Sequence, residues 1–285
     1  MLTGERGGKY PDGNSLLVEG TEETLVVDPS LSLLARRGEL PRVDRVVNSH
    51  CHEDHVAGNH LFPDVPWHLH EADLPGIHSL DGLMAIYGFD PATDRPFRKV
   101  VVEQFHFTPR ADAVPYRDGD VFELGRVRVR VIHAPGHTRG HCVLLVEPDG
   151  VLYLGDVDLS SFGPYYGDAW SSLEDFERTL RMVREIDVPH YATFHHVGVV
   201  DGRAAFVERL DRFAAVIAQR EARLLAFLAE PRSMDDIAAH RFVYRQGDAV
   251  AFADPVERRS MGQHLTRLVA AGAVREVAPG RFRAV

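Results

Sequence analysis

The chain has 285 residues, 45% hydrophobic and 26% charged, with a formal net charge of −10, a composition ordinary for a soluble globular protein. No apolar run approaches the roughly 20 residues a bilayer span needs, and the N-terminal stretch "MLTGERGGKYPDGN" lacks the pattern of a signal peptide. Only two cysteines are present, Cys51 and Cys142, so no disulfide framework is implied and a cytoplasmic location is expected. In chain order, "SLLVEG" and "TLVVDPS" read as two strands joined by a polar turn, and "RVDRVVNS" as a third. "VPWHLH" follows as a fourth. Residues 75–99 fit neither strand nor helix periodicity and are expected to be an insertion near a site. "DGDVFELGRVRVRVIHAPG" reads as a hairpin turning at Gly125, and "HCVLLVEPDGVLYLGD" as a second turning at Asp149-Gly150. "SSLEDFERTLRMVREI" predicts a helix with Ser171 and Glu174 as a capping box and Leu173, Phe176, Leu180, Val183 and Ile186 on one face.

Sixteen histidines are present, and six of them fall between positions 50 and 70. In "SHCHEDH", His50 and His52 alternate, so in extended backbone both rings share a face and can meet one ion. Asp54 and His55 follow and can meet a second. Imidazole nitrogen and carboxylate oxygen suit a borderline divalent metal. Further donors stand at strand ends: His137 in "APGHTRGH", Asp156 in "YLGD", and His195 and His196 in "ATFHH". Cys51, between residues of opposite phase, is expected to point away. His60, His68, His70, His78 and His106 are expected to be ordinary polar residues.

The order of these motifs, from about residue 14 to residue 202, resembles the metallo-β-lactamase-fold hydrolase superfamily, including its glyoxalase II-like members. His50, His52, Asp54 and His55 match its His-x-His-x-Asp-His motif, "GHTRG" its later histidine turn, Gly155-Asp156 its bridging aspartate, and "VVDPS" its strand-ending Asp28. The resemblance implies an α+β fold, an αββα four-layer sandwich with metals at one edge. It implies that His50, His52 and His137 hold one ion, that Asp54, His55 and a last histidine hold a second, and that Asp156 bridges them. Counting back from "VGVVDG" favours His196 over His195 for the last position. Asp28, Thr138 and His141 would anchor the ligands rather than bind metal.

Two divalent ions are implied, zinc first, with iron or manganese as alternatives. Such a pair activates a water for attack, with Asp54 orienting it and accepting its proton, so a metallo-hydrolase is expected. The favoured substrate is a small ester, thioester or lactone. A second reading is a persulfide-oxidising enzyme with a single iron. A third is an RNA or phosphodiester hydrolase aided by the tail. The penicillin-degrading branch with cysteine at the bridging position does not fit, because Asp156 stands there. Phe162, Tyr165, Tyr166 and Trp170 are expected either to line a substrate pocket or to pack their own loop.

Charge divides the chain. Residues 203–285 carry 14 Arg against 10 Asp and Glu, a net of +4, while the remainder carries −14. A catalytic domain over 1–204 and a C-terminal domain over 205–285 are therefore expected. The tail reads as a long helix (or two, joined near Gln219), then "SMDDIAAHRF" capped by Ser233 and Asp236. A third helix, "DPVERRSMGQHLTRLVAAG", and two short strands around Pro279-Gly280 complete it. This resembles a winged-helix domain. Arg258, Arg259 and Arg267 on its third helix would contact nucleic acid if it bound any; a lid or a platform for a homodimer is the favoured role. No membrane association is expected.

Overall fold

The computed structural model describes residues 1–248 and 250–285. Strands β1 (Leu16–Glu19) and β2 (Thr24–Val27) form the first hairpin, and helix α1 (Leu33–Arg36) follows. β3 (Arg45–Val47) and β4 (Trp67–His70) bracket the histidine-rich loop. Helices α2 (Leu74–His78), α3 (Leu80–Tyr87) and α4 (Pro91–Glu103) come next, then β5 (Val114–Tyr116). The segment 75–99 is thus helical. Its signal is hidden by Pro75, Gly76, Gly82 and Pro96 and by short lengths, although Ser79 and Asp90 cap the last two helices through their side chains. The first sheet runs β1-β2-β3-β4-β5, antiparallel at β1/β2 and parallel thereafter.

β6 (Val121–Glu123), β7 (Arg128–His133), β8 (Cys142–Glu147) and β9 (Val151–Tyr153) form an antiparallel meander with turns at the expected glycines, Gly125 and Gly150, both at positive φ. Helix α5 (Leu173–Glu185) leads to β10 (His190–Ala192) and β11 (Val199–Asp201). The second sheet runs β11-β10-β9-β8-β7-β6. The α5 cap sits one residue later than expected: Ser172, accepting from the Asp175 amide. Leu173, Phe176, Leu180 and Val183 are buried as the periodicity requires.

The two sheets face each other across a core in which Leu25, Val27 and Val47 meet Val129, Val131, Leu144 and Tyr153. Outside the first sheet, α2–α4 cover Val26, Val46 and Leu69; outside the second, α5 covers Val143, Leu152 and Tyr191. Four layers result, helix–sheet–sheet–helix, the αββα sandwich. Among the described residues, no helix is long and apolar enough to cross a membrane.

Helix α6 (Arg203–Phe227) is one continuous helix across the expected boundary near residue 205. Its first half packs Phe206, Leu210, Phe213 and Ile217 onto the outer face of the second sheet, and its last turns carry Leu224 into a separate core with Ile237, Met261 and Leu265. β12 (Arg232–Ser233), α7 (Met234–His240), α8 (Ala253–Ala270), β13 (Val274–Ala278) and β14 (Arg281–Ala284) complete that unit, with sheet order β12-β14-β13. Ser233 and Asp236 form a reciprocal capping box. α8 is bound into the sandwich. Gln263 accepts from the Leu173 amide and donates to the Tyr166 carbonyl, Arg259 donates to the carbonyls of Tyr87 and Gly88, and Arg267 pairs with Glu177 and Glu221.

One strand residue makes stability depend on pH. His68 is buried on β4, its Nε2 has no hydrogen-bond partner among the described residues, and its ring lies 5.0 Å from Phe122. Burial first, then the Arg45 charge, pushes its pKa from 6.5 down to about 4. The unfolded chain therefore binds this proton more tightly than the folded one. The contribution is complete above pH 6.5 and is lost as pH falls through 4. His68→Gln is expected to lose less stability than wild type on acidification, by on the order of 2 kcal/mol. Urea unfolding of both proteins at neutral pH and near pH 5 checks this; equal losses would show that His68 does not titrate with folding.

Candidate metal centre

The residues singled out by the histidine pattern meet at one edge of the sandwich. The loop after β3 delivers Ser49, His50, His52, Asp54 and His55; the loop after β7 delivers His137; the loop after β9 delivers Asp156; the loop after β10 delivers His195. Their donor atoms form two groups, His50, His52, His137 and Asp156, and Asp54, His55 and His195, each with atoms within 4.8 Å of one another. Asp156 lies between them: Oδ2 is 3.1 Å from His137 Nε2, and Oδ1 is 2.9 Å from His55 Nε2 and 3.9 Å from His195 Nε2.

Four of the five rings, those of His50, His55, His137 and His195, are held by their outer nitrogens. His137 Nδ1–H donates to the Tyr165 carbonyl at 3.0 Å and His195 Nδ1–H to the Gly8 carbonyl at 2.9 Å. His55 Nδ1 donates to Asp28 Oδ2 at 2.8 Å, and His50 Nδ1 to Ser49 Oγ at 3.1 Å, the serine in turn donating to Asp28. His52 Nε2 faces Asp168 Oδ2 at 2.9 Å, close but out of line for a hydrogen bond. A carbonyl can only accept, so His137 and His195 carry a proton on Nδ1 and turn Nε2 toward the centre. His52 Nδ1 stands 2.9 Å from His137 Nε2, and the inner Nε2 atoms of His50 and His55 are buried with no hydrogen-bond partner among the described residues. Such an arrangement calls for a cation at its centre. The residues present fit metal ions.

The electrostatics divide the rings: burial leaves His50 neutral, while neighbouring carboxylates outweigh burial and raise His52, to about 9, His55 and His195, whose protons a bound cation would displace. Burial, then the neighbouring His55, His137 and His52, holds His50 well below its usual range, so it is neutral and free to donate its lone pair. Burial opposes ionisation of Asp156, but the charges of His55, His137 and His195 outweigh it and hold its carboxyl well below the usual range. His195 gains from the same exchange: burial acts against its charge, Asp156 and Asp54 prevail, and it is pushed up to about 9.

His196 does not join the cluster. It adopts φ +57, in the left-handed region, within the turn closed by Thr193 and Gly198, and its ring stands 5.9 Å from that of His195. The preference for His196 is corrected by that turn: it sends the His195 ring inward, with Nε2 3.0 Å from Asp54 Oδ2. Cys51 points into the outer core, beside Gly76. His141 donates through Nδ1 to the Ala134 carbonyl and accepts at Nε2 from the Asp156 amide. A Cβ at Gly155, which has φ +52, would come 2.6 Å from that Nε2, so the residue before Asp156 must be glycine. Thr138 donates to Asp73 at 2.6 Å. Asp73 and Asp168 had no local signal in the sequence.

Above the centre lies a cleft of about 1330 Å³. Its walls include Tyr10, Tyr87, Phe162 and Tyr165 from the sandwich, and Arg220, Phe242, Tyr244 and Phe252 from the C-terminal unit. The aromatic stretch thus divides: Phe162 and Tyr165 line the cleft, while Tyr166 is fully buried on His264 and Trp170 packs beneath Arg139.

A four-layer sandwich with this donor set at its edge defines a metal-binding hydrolase fold. The chain belongs to the metallo-β-lactamase superfamily, whose sequence profile matches residues 10–207. It is 30% identical over 226 residues to a hydroxyacylglutathione hydrolase of Methylococcus capsulatus, covering 74% of this chain and 75% of that protein. It is 27% identical over 216 residues to the human acyl-coenzyme A thioesterase MBLAC2, covering 65% and 76%. Among solved structures, a metallo-β-lactamase family protein from Thermus thermophilus matches with a TM-score of 0.73 at 24% identity over 100% of this chain and 97% of its own. A β-lactamase domain protein from Burkholderia ambifaria matches with a TM-score of 0.69 at 22% identity, over 97% and 89%. These two share the fold over 97% or more of this chain.

Proposed function

We propose that this protein is a metal-dependent thioesterase. The observation that carries the reading is the convergence of five inward-facing imidazoles and two carboxylates at the floor of a cleft large enough for an acyl chain and its thiol carrier. The curated relatives named for hydrolysing glutathione and coenzyme A thioesters support thioesters over other esters and lactones. His50, His52 and His137 would hold one ion and Asp54, His55 and His195 the second, with Asp156 shared. When bound, two such ions supply Lewis acidity and lower the pKa of water toward about 7. Nitrogen and oxygen donors without thiolate favour zinc, with iron or manganese next. Asp54 orients the attacking water and takes its proton. Tyr10 and Tyr165 spend their hydroxyls on Glu53 and Asp168, so they wall the cleft and exclude water from the acyl group.

The C-terminal unit, with its three helices and closing hairpin, is read as a winged-helix-type wall of the cleft. The arginines of α8 support this over nucleic-acid binding. Arg258 pairs with Asp235, Arg259 caps carbonyls at the end of α3, and Arg267 is held by two glutamates. Both cysteines are free and buried, which suits a reducing compartment.

Protein purified without added metal should contain close to two transition-metal ions per chain by elemental analysis. It should hydrolyse acyl thioesters faster than matched oxygen esters, with release of thiol. A single iron together with oxygen consumption on a persulfide would establish the oxidoreductase reading instead, and cleavage of RNA would establish the phosphodiesterase reading.

A further inference from the structure

Four tyrosines line the cleft, Tyr10, Tyr87, Tyr165 and Tyr244. Three have their hydroxyls engaged: Tyr10 and Tyr87 donate to the two oxygens of Glu53, and Tyr165 donates to Asp168 at 2.9 Å. Tyr244 differs. Its hydroxyl makes no hydrogen bond among the described residues, although its ring is set beside Phe162 at 5.6 Å and Phe252 at 6.4 Å. Burial, then the charge of Asp168, holds its pKa above the usual range, so the phenol keeps its proton and is a donor.

Tyr244 sits on the connection between α7 and α8, whose described residues form no helix or strand. That stretch is nonetheless fastened. Glu257, fully buried on α8, accepts from three consecutive amides: Phe242 through Oε2 at 2.9 Å, and Val243 and Tyr244 through Oε1 at 2.9 and 2.8 Å. A carboxylate that satisfies three successive backbone donors fixes the direction of the side chains between them. Arg223 adds hydrogen bonds to the Arg241 and Phe242 carbonyls. A protonated donor without a partner, on a fastened segment that faces the metal edge, is arranged to meet an acceptor that arrives with the ligand.

We propose that Tyr244 is a substrate-contacting residue supplied by the C-terminal unit, donating a hydrogen bond to an oxygen of the bound thioester, and that Glu257 is the positioning residue that aims it. This deepens the thioesterase reading and rests on it. The C-terminal unit thereby takes part in substrate selection.

The test is a double-mutant cycle on the full-length, metal-loaded protein, using a panel of acyl thioesters with different thiol carriers. Tyr244→Phe removes one hydroxyl and is expected to lower kcat/KM roughly tenfold, the range of a single lost hydrogen bond, chiefly through KM and with metal content unchanged. Glu257→Gln is expected to lower kcat/KM in the wild-type background and to have little further effect in the Tyr244→Phe background. Additive losses would reduce Glu257 to a general stabiliser and overturn its positioning role. Wild-type turnover with Tyr244→Phe within about twofold on every thioester, well inside the range of one hydrogen bond, overturns the contact while leaving the thioesterase reading intact. A wild-type protein that binds metal yet cleaves none of the panel overturns that reading and this assignment with it.

Discussion

Asp156→Asn is expected to lower turnover by at least about 10³-fold, at the upper end of what removing one preorganised electrostatic group costs an active site. The side chain keeps its shape and loses its charge. Asp156 turns one oxygen to each donor group, Oδ2 at 3.1 Å from His137 and Oδ1 at 2.9 Å from His55. An amide presents one neutral oxygen and one N–H, and the N–H would point at a ring nitrogen or an ion. Bound metal should fall with the activity. The backbone anchor from His141 is independent of the side chain, so near-native circular dichroism is expected. Full metal occupancy with retained turnover in the purified variant would remove Asp156 from the centre.

His195→Ala is expected to cost roughly 10²-fold or more in turnover together with loss of bound metal. Removing only an outer partner of a metal-binding histidine already costs roughly 10–100-fold in comparable sites, and here the ring itself goes. His196→Ala should leave metal content unchanged, because its ring stands outside both donor groups, whatever it does to KM at the cleft rim. Elemental analysis of the two variants side by side decides between adjacent residues. Metal lost from the His196 variant alone would reverse the assignment of His195 to the centre.

The choice between these two histidines marks where the sequence stops being legible. The donor pattern His50, His52, Asp54 and His55 could be read because its spacing is local, and His137 and Asp156 because each ends a strand beside a glycine turn. Which of His195 and His196 faces inward depends on a left-handed backbone angle at the second, and a single sequence carries no mark of it. The hairpins were readable through valine alternation and turn glycines. The helices over 74–103 were not, because prolines and glycines interrupt short amphipathic runs and tertiary packing on Val101, Leu83 and Ile86 supplies what propensity lacks. Asp73, Asp168 and Glu257 act through partners 65 to 67, 116 and 13 to 15 residues away, and spacing rules do not reach such distances or such irregular loops.

The uninterrupted course of α6 has a consequence for how this chain can change over evolutionary time. A single rod of 25 residues, about 37 Å long, belongs to two hydrophobic cores at once. Its middle carries Arg220, whose guanidinium grips the Phe162 and Pro164 carbonyls of the cleft-lining loop. The shift in composition near residue 205 falls at the first turn of this helix. A tail exchanged at that point would carry away Phe206, Leu210, Phe213 and Ile217, so any replacement must begin with a helix that covers the second sheet as these residues do. Diversification of the cleft is channelled instead into cleft-facing positions outside both cores, such as Tyr244 and Arg245 on the connection between α7 and α8, where Phe242 by contrast belongs to the second core.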